Sequence, residues 1–288
     1  MPAETPDNSS GYIFDSESAA EMARLMKQDR ILTRGMGGIF PPHVDISDVR
    51  DILDIACGPG GWALDVAHAY RDKQVVGIDI SKLVIQYARA QAKVQWADNA
   101  SFKIMDIRQP FAFEDNSFDL INARLLFGVL PRTAWPNMLQ ECLRINRPGG
   151  LIRLTESELP LTNSPAFELL ASKFAEALYK GGHSFSVDGR HIGITPVLGR
   201  LLRAAGYQRV RTEGYIIDCS AGAEAYESCY ENFEIGLRLA QPLIVDKFKL
   251  MKAEDFEETY QRMLLEMGSS DFCGTWPLLS AWGEKPQT

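Results

Sequence analysis

Between Asp51 and Ala67 the chain reads D-I-L-D-I-A-C-G-P-G-G-W-A-L-D-V-A, and this stretch restricts the fold more than any other. Ile52, Leu53 and Ile55 form a short apolar run of the kind that is buried on both faces of a parallel sheet. The run ends at Gly58-Pro59-Gly60-Gly61, where backbone without Cβ turns sharply and approaches a ligand closely. Trp62, Leu64, Val66 and Ala67 then open a helix whose first amides face the bend. Strand, glycine turn and helix N-terminus together make a site for a nucleotide-like ligand at the carboxyl end of the sheet.

The same letters satisfy G-x-G-x-x-G/A, the dinucleotide pattern, which taken alone is a weak signal. Asp54, inside the strand end and four residues before the first glycine, argues against a pyrophosphate. A buried negative charge gains nothing from an anion, whereas a ligand with an ammonium group gains from it. The next apolar run, Val75-Val76-Gly77-Ile78, closes on Asp79, an acid that can accept both hydroxyls of a ribose. That acid fits NAD as well and does not discriminate by itself. In this form, D-x-x-C-G-x-G followed by a ribose acid, the residues resemble the class I S-adenosylmethionine-dependent methyltransferases. The resemblance implies S-adenosylmethionine as cofactor and S-adenosylhomocysteine as product, held by Asp54, Ala56, Gly58, Gly60, Asp79 and Ile80.

From Asp51 onward apolar and polar blocks alternate as in a doubly wound α/β fold. Strands are expected at 51–55, 74–79, 101–105, 118–121, 151–155 and 208–217, with a closing strand near the carboxyl end. In the family this is a mostly parallel, seven-stranded Rossmann-like sheet with an antiparallel last strand. Asp106 and Ile107 end the third strand where the resemblance implies an acceptor for the adenine amino group and an apolar wall for its ring. Phe118-Asp119-Leu120-Ile121 resembles a family element, and Asn122 follows at the strand edge where backbone carbonyls hold the cofactor's ammonium. Arg124 reads as the structural partner of an acid or as a substrate contact, and Phe127 lines the same edge without a titratable group. Thr133 is expected to cap a helix through Arg144, and Arg147-Pro-Gly-Gly150 to start the fifth strand. Thr195-Pro196 should start a helix that Gly206 ends.

Outside the sheet, residues 1–40 read as a polar tail and a helical lid, and residues 41–288 as the methyltransferase domain. Ser18 and Glu21 can form a capping box for the lid helix. Tyr12-Ile-Phe-Asp15 followed by Glu21, Arg24 and Gln28 resembles the leader of a branch rich in secondary-metabolism enzymes, which implies that Tyr12 caps the site and that Arg24 or Gln28 contacts ligand. Residues 157–195, rich in aromatics, emerge at the ligand edge and are the expected substrate cover. Residues 222–265 read as a helical insertion that walls the pocket, forms a dimer face, or does both.

With 288 residues, 45% hydrophobic and 24% charged, the chain has the composition of a soluble globular protein. No run approaches the roughly 18 apolar residues of a membrane span. The amino terminus lacks the pattern of a signal peptide. A net charge of −8 argues against nucleic acid. Five scattered cysteines without a C-x-x-C pair argue against a disulfide framework or a metal site and for a cytoplasmic location. The expected activity is methyl transfer to a small aromatic or apolar metabolite by in-line displacement, in a monomer or homodimer. His183, His191 and Glu156 are the candidate bases, each with an ordinary structural role as the alternative. Two other readings stay open: a protein that binds S-adenosylmethionine but regulates or catalyses a different reaction, and an NAD-dependent reductase.

Overall fold

The computed structural model describes residues 19–287, and Tyr12 and Ser18 lie outside them. The chain forms one sheet of eight strands: β1 (Asp51–Ile55), β2 (Gln74–Asp79), β3 (Ala100–Ile104), β4 (Phe118–Arg124), β5 (Asn146–Ser157), β6 (Leu161–Thr162), β7 (Gln208–Asp218) and β8 (Gly274–Glu284). The order β3-β2-β1-β4-β5 is parallel throughout. β8 runs antiparallel to β5 and β6 on one side and to β7 on the other. The doubly wound, mostly parallel sheet with an antiparallel last strand is therefore present. The two-residue β6 adds a strand that the apolar pattern is too short to reveal.

β1 is central because its residues bear side chains that tolerate no water. Ile52, Leu53 and Ile55 are fully buried, and Leu53 sits in register with Val76 on one side and Ile121 on the other. Its start is pinned by Asp119 Oδ2, which accepts the amides of Arg50 and Asp51, both at 2.8 Å. Helices α2 (Gly61–Ala69), α3 (Lys82–Val94), α4 (Trp135–Ile145) and α6 (Leu198–Ala205) flank the sheet. α4 buries Trp135, Met138, Leu139 and Cys142, which recur at helical spacing on one face.

Two capping expectations are corrected. Thr133 lies in a single 3-10 turn, Arg132–Ala134, and α4 begins at Trp135 without a side-chain cap. Pro136 in the first turn has no amide for a cap to satisfy. Thr195 opens another 3-10 turn, and its hydroxyl donates to Glu158 Oε1 at 3.0 Å instead of capping α6. Gly206 ends α6 at φ +106° as its sequence position suggests.

The remaining helices gather at the carboxyl edge of the parallel strands. α1 (Ala19–Gly35) lies against α7 (Tyr226–Gln241), and α5 (Pro165–Lys180) against α8 (Ala253–Met267). Ser164 caps α5 by accepting the Phe167 amide at 3.0 Å, with Pro165 in its first turn. Among the described residues no helix is long and apolar enough to cross a membrane.

Gly60 shows how tightly α2 meets the sheet. It has φ +83°, and a Cβ there would lie 2.8 Å from the Phe102 ring and 3.1 Å from Ala88. Gly60→Ala should destabilise the protein by about 2 kcal/mol through backbone strain and overpacking. Chemical denaturation of the variant would measure this, and an unchanged midpoint would refute the assigned packing.

Candidate functional site

The end of β1, the glycine turn and the end of β2 converge through one carboxylate. Asp79 Oδ2 accepts the Gly58 amide at 3.1 Å and Oδ1 accepts the Ser81 amide at 2.9 Å. The glycine turn is thus tied to the head of α3, which Ser81 caps through Val84. Burial pushes the Asp79 carboxyl up, and these amide bonds counter part of that shift.

Asp54 is buried at the end of β1 and accepts a 2.7 Å bond from Asn122 Nδ2 on the adjacent β4. Burial raises its pKa to about 7, against the pull of Arg124 and of that hydrogen bond. Asn122 Oδ1 has no partner among the described residues. Asp106 follows β3 and holds Arg108, with Nε–Oδ1 at 2.9 Å and Nη2–Oδ2 at 2.8 Å. Burial would raise its carboxyl, but the Arg108 bonds outweigh burial and hold it below the usual range.

These groups open on a cavity of about 210 Å³ lined by Asp54, Ala56, Gly58, Asp79, Ile80, Asp106 and Ile107. Of the positions expected to hold the cofactor, only Gly60 and Asn122 do not line it. Gly60 backs onto Phe102 instead, and Asn122 touches Asp54.

The cavity continues to a second wall contributed by α1, α5, α7 and the segment after β5. Arg24 and Arg124 both line it. Arg24 is buried and grips Glu21 with two 2.7 Å bonds while Nη1 donates to Asn232 Oδ1 at 3.1 Å. Arg124 pairs with Asp29 of α1, donates to Thr33 at 3.2 Å, and lies 5.9 Å from the Trp62 ring centroid. Gly61 allows this approach, because a Cβ there would collide with the Asp29 carboxylate. Phe127 also lines the cavity, joined by Phe167, Phe174, Phe233 and Trp276.

The three candidate bases do not line it. Glu156 is buried beneath, accepting the amides of Leu126 at 2.6 Å and Phe127 at 3.4 Å, and burial pushes it up to about 8. His183 turns Nδ1 toward the Phe127 carbonyl at 2.9 Å, and burial lowers its pKa. His191 is exposed. Arg108, Glu158 and Asn232 line the cavity without having been singled out in the sequence. For Asn232 a signal existed: it is a polar residue on the apolar stripe of Cys229, Phe233 and Leu237.

Residues 52–150 match the family model of a methyltransferase domain. That part of the chain, from β1 into the start of β5, is a methyltransferase domain. Methyltransferase str2 of Strobilurus tenacellus is 28% identical over 136 residues, covering 47% of this chain and 46% of that protein. Demethylmenaquinone methyltransferase of Lactococcus lactis is 29% identical over 121 residues, covering 41% and 47% respectively. The secondary metabolism regulator laeA of Monascus pilosus is 32% identical over 120 residues, covering 41% of this chain and 30% of that protein. The alignments thus span less than half the length of these three relatives. Among solved structures, YcgJ of Bacillus subtilis shares the methyltransferase fold with a TM-score of 0.54 at 14% identity, over 83% of this chain and 93% of that one.

The buried acid Asp54 has a measurable consequence. Its folded-state value of about 7 lies above the ordinary 3.8. Below about pH 4 both states are protonated, while between about 4 and 7 only the folded state keeps the proton. Stability therefore falls as pH rises through that window, by at most about 1.4 kcal/mol per pH unit from this group. Asp54→Asn should remove that slope, making the variant more stable relative to wild type at pH 8 than at pH 5. Denaturant titrations at the two pH values would check it, and an equal difference at both would refute it.

Proposed function

We propose that the protein binds S-adenosylmethionine in this cavity and transfers its methyl group to a small aromatic or apolar metabolite. The observation that carries the reading is Asp54, a buried carboxylate facing the cavity with a raised pKa, beside Asp79 and Asp106. The donor set fits the group. Asp54 would accept from the ammonium of the methionine moiety, Asp79 from the ribose hydroxyls, and Asp106 from the adenine amino group. Gly58 leaves room for close approach, and Ile80 and Ile107 offer apolar faces to the adenine ring. A pyrophosphate at the glycine turn would face Asp54 and Asp79, which disfavours the nicotinamide reading.

When bound, the sulfonium supplies an electrophilic methyl, whose bond to sulfur breaks with its electron pair left on sulfur as the acceptor bonds to carbon. The protein's own work is to hold the two reactants in line and keep water out. α1, clamped by Arg124–Asp29 and Arg24–Asn232, covers one side, and the aromatic wall encloses the acceptor. Aromatic lining is what supports an aromatic or apolar substrate. Similarity to the secondary metabolism regulator laeA supports a place in secondary metabolism.

Calorimetric titration with S-adenosylhomocysteine tests the reading. Micromolar-range binding is expected for wild type. Asp79→Ala should weaken it about 100-fold, since it removes charged acceptors and loosens the turn, and NADH should not bind. Affinity should be flat above about pH 7 and fall by up to about tenfold per unit below it, because an ammonium needs Asp54 ionised. Binding that is unaffected by Asp79→Ala, or binding to NADH alone, would sink the proposal.

A further inference from the structure

The cavity half away from the glycine turn is aromatic, yet it carries a polar side chain that is almost wholly buried: Asn232 is 4% exposed and lines the cavity. Its amide has a fixed orientation. Oδ1 accepts from Arg24 Nη1 at 3.1 Å and from Gln28 Nε2 at 3.5 Å. Arg24, on α1, can only donate, so the oxygen must face it and Nδ2 must face the other way. Among the described residues no hydrogen bond is made by Nδ2, which leaves this donor free for a group in the cavity that Asn232 lines.

The other charged groups near this wall are already engaged. Glu158 accepts from the Gly193 amide at 2.9 Å, the Thr195 amide at 3.3 Å and the Thr195 hydroxyl at 3.0 Å, which holds the cover segment in place. Arg24 is bonded to Glu21 and Arg124 to Asp29. Among the described residues lining the cavity there is no histidine, lysine or tyrosine.

From this we infer that Asn232 Nδ2 donates a hydrogen bond to an oxygen of the substrate, and that the substrate is an aromatic or apolar ring bearing an enolate or phenolate oxygen. The inference rests on the function proposed above. An acidic enol enters as an anion, its proton already lost to water, and so needs no base from a wall whose carboxylate, Glu158, is held by Gly193 and Thr195. Its ring packs on Phe167, Phe174, Phe233 and Trp276, and the amide fixes which edge of the ring faces the cofactor side.

Two probes separate the possibilities in calorimetric titrations of protein saturated with S-adenosylhomocysteine. They are 4-hydroxycoumarin, an enolate at neutral pH, and naphthalene, a hydrocarbon of similar size. Wild type is compared with Asn232→Ala and Asn232→Asp. The aspartate keeps an oxygen for Arg24 and removes the donor. Both variants should lose about tenfold or more in affinity for 4-hydroxycoumarin. Asn232→Asp, which keeps the Arg24 bond, should bind naphthalene and S-adenosylhomocysteine within about twofold of wild type.

Unchanged affinity for the enolate in both variants overturns the inference and leaves the cofactor reading intact, as does a wild type that binds S-adenosylhomocysteine but not the enolate. Loss of S-adenosylhomocysteine binding in both variants would make Asn232 an anchor for α1, which also overturns it. A wild type that fails to bind S-adenosylhomocysteine removes the proposed function, and the inference with it.

Discussion

A carboxylate under the carboxyl edge of a parallel sheet is unfavourable unless something positive meets it, and the surroundings of Asp54 follow from that constraint. Asn122 supplies one hydrogen bond from β4, and Arg124, two residues further on, supplies distant positive charge. Arg124 in turn needs an anion, which α1 provides through Asp29. The glycine turn has to be small at Gly61 for Asp29 to reach. One buried charge thus connects the sheet, the turn and the covering helix. What it still lacks is a cation at hydrogen-bond distance, and a cationic ligand in the cavity would supply one.

The two halves of the cavity are built on different principles. The half beside the glycine turn uses the ends of β1, β2 and β3, whose spacing is set by the ladder and whose acids step two residues further along from each strand to the next. It is rigid and general. The other half uses side chains from α5, α7 and the segment after β5, which owe their places to helix packing. Such a wall can change its lining without disturbing the sheet, as expected where one scaffold serves many substrates.

That division also marks what could be read in the sequence. Buried parallel strands leave short apolar runs, and their last residues are where ligands sit, so Asp54, Asp79 and Asp106 stood out before any coordinates. Local chemistry failed where tertiary contacts redirect it. Thr133 and Thr195 are sound caps by type, but Pro136 removes the need for one and Glu158 captures the other. Gly60 fits a phosphate-cradling pattern, yet its missing Cβ serves the Phe102 ring. Arg24 and Arg124 were legible as charged residues near the site, whereas their partners Asn232 and Asp29 are distant in sequence for one and unmarked for the other. Asn232 in particular looks like one polar residue on the otherwise apolar stripe of its helix until α1 is laid against it.

The position of β8 bears on how the chain assembles. β8 lies between β5 and β7 and pairs with both, although β5 precedes it by more than a hundred residues. Until Gly274–Glu284 have left the ribosome, β5 and β7 have no strand to join them, and each presents an open edge. The β1–β4 core that carries the acids can form early, but the wall carried by α5 and α7 hangs from strands that only the last one links. High sequence separation slows such closure, and unpaired edges are exposed meanwhile. Synthesis from the amino end would therefore produce the nucleotide-like half of the cavity first and the selective half last.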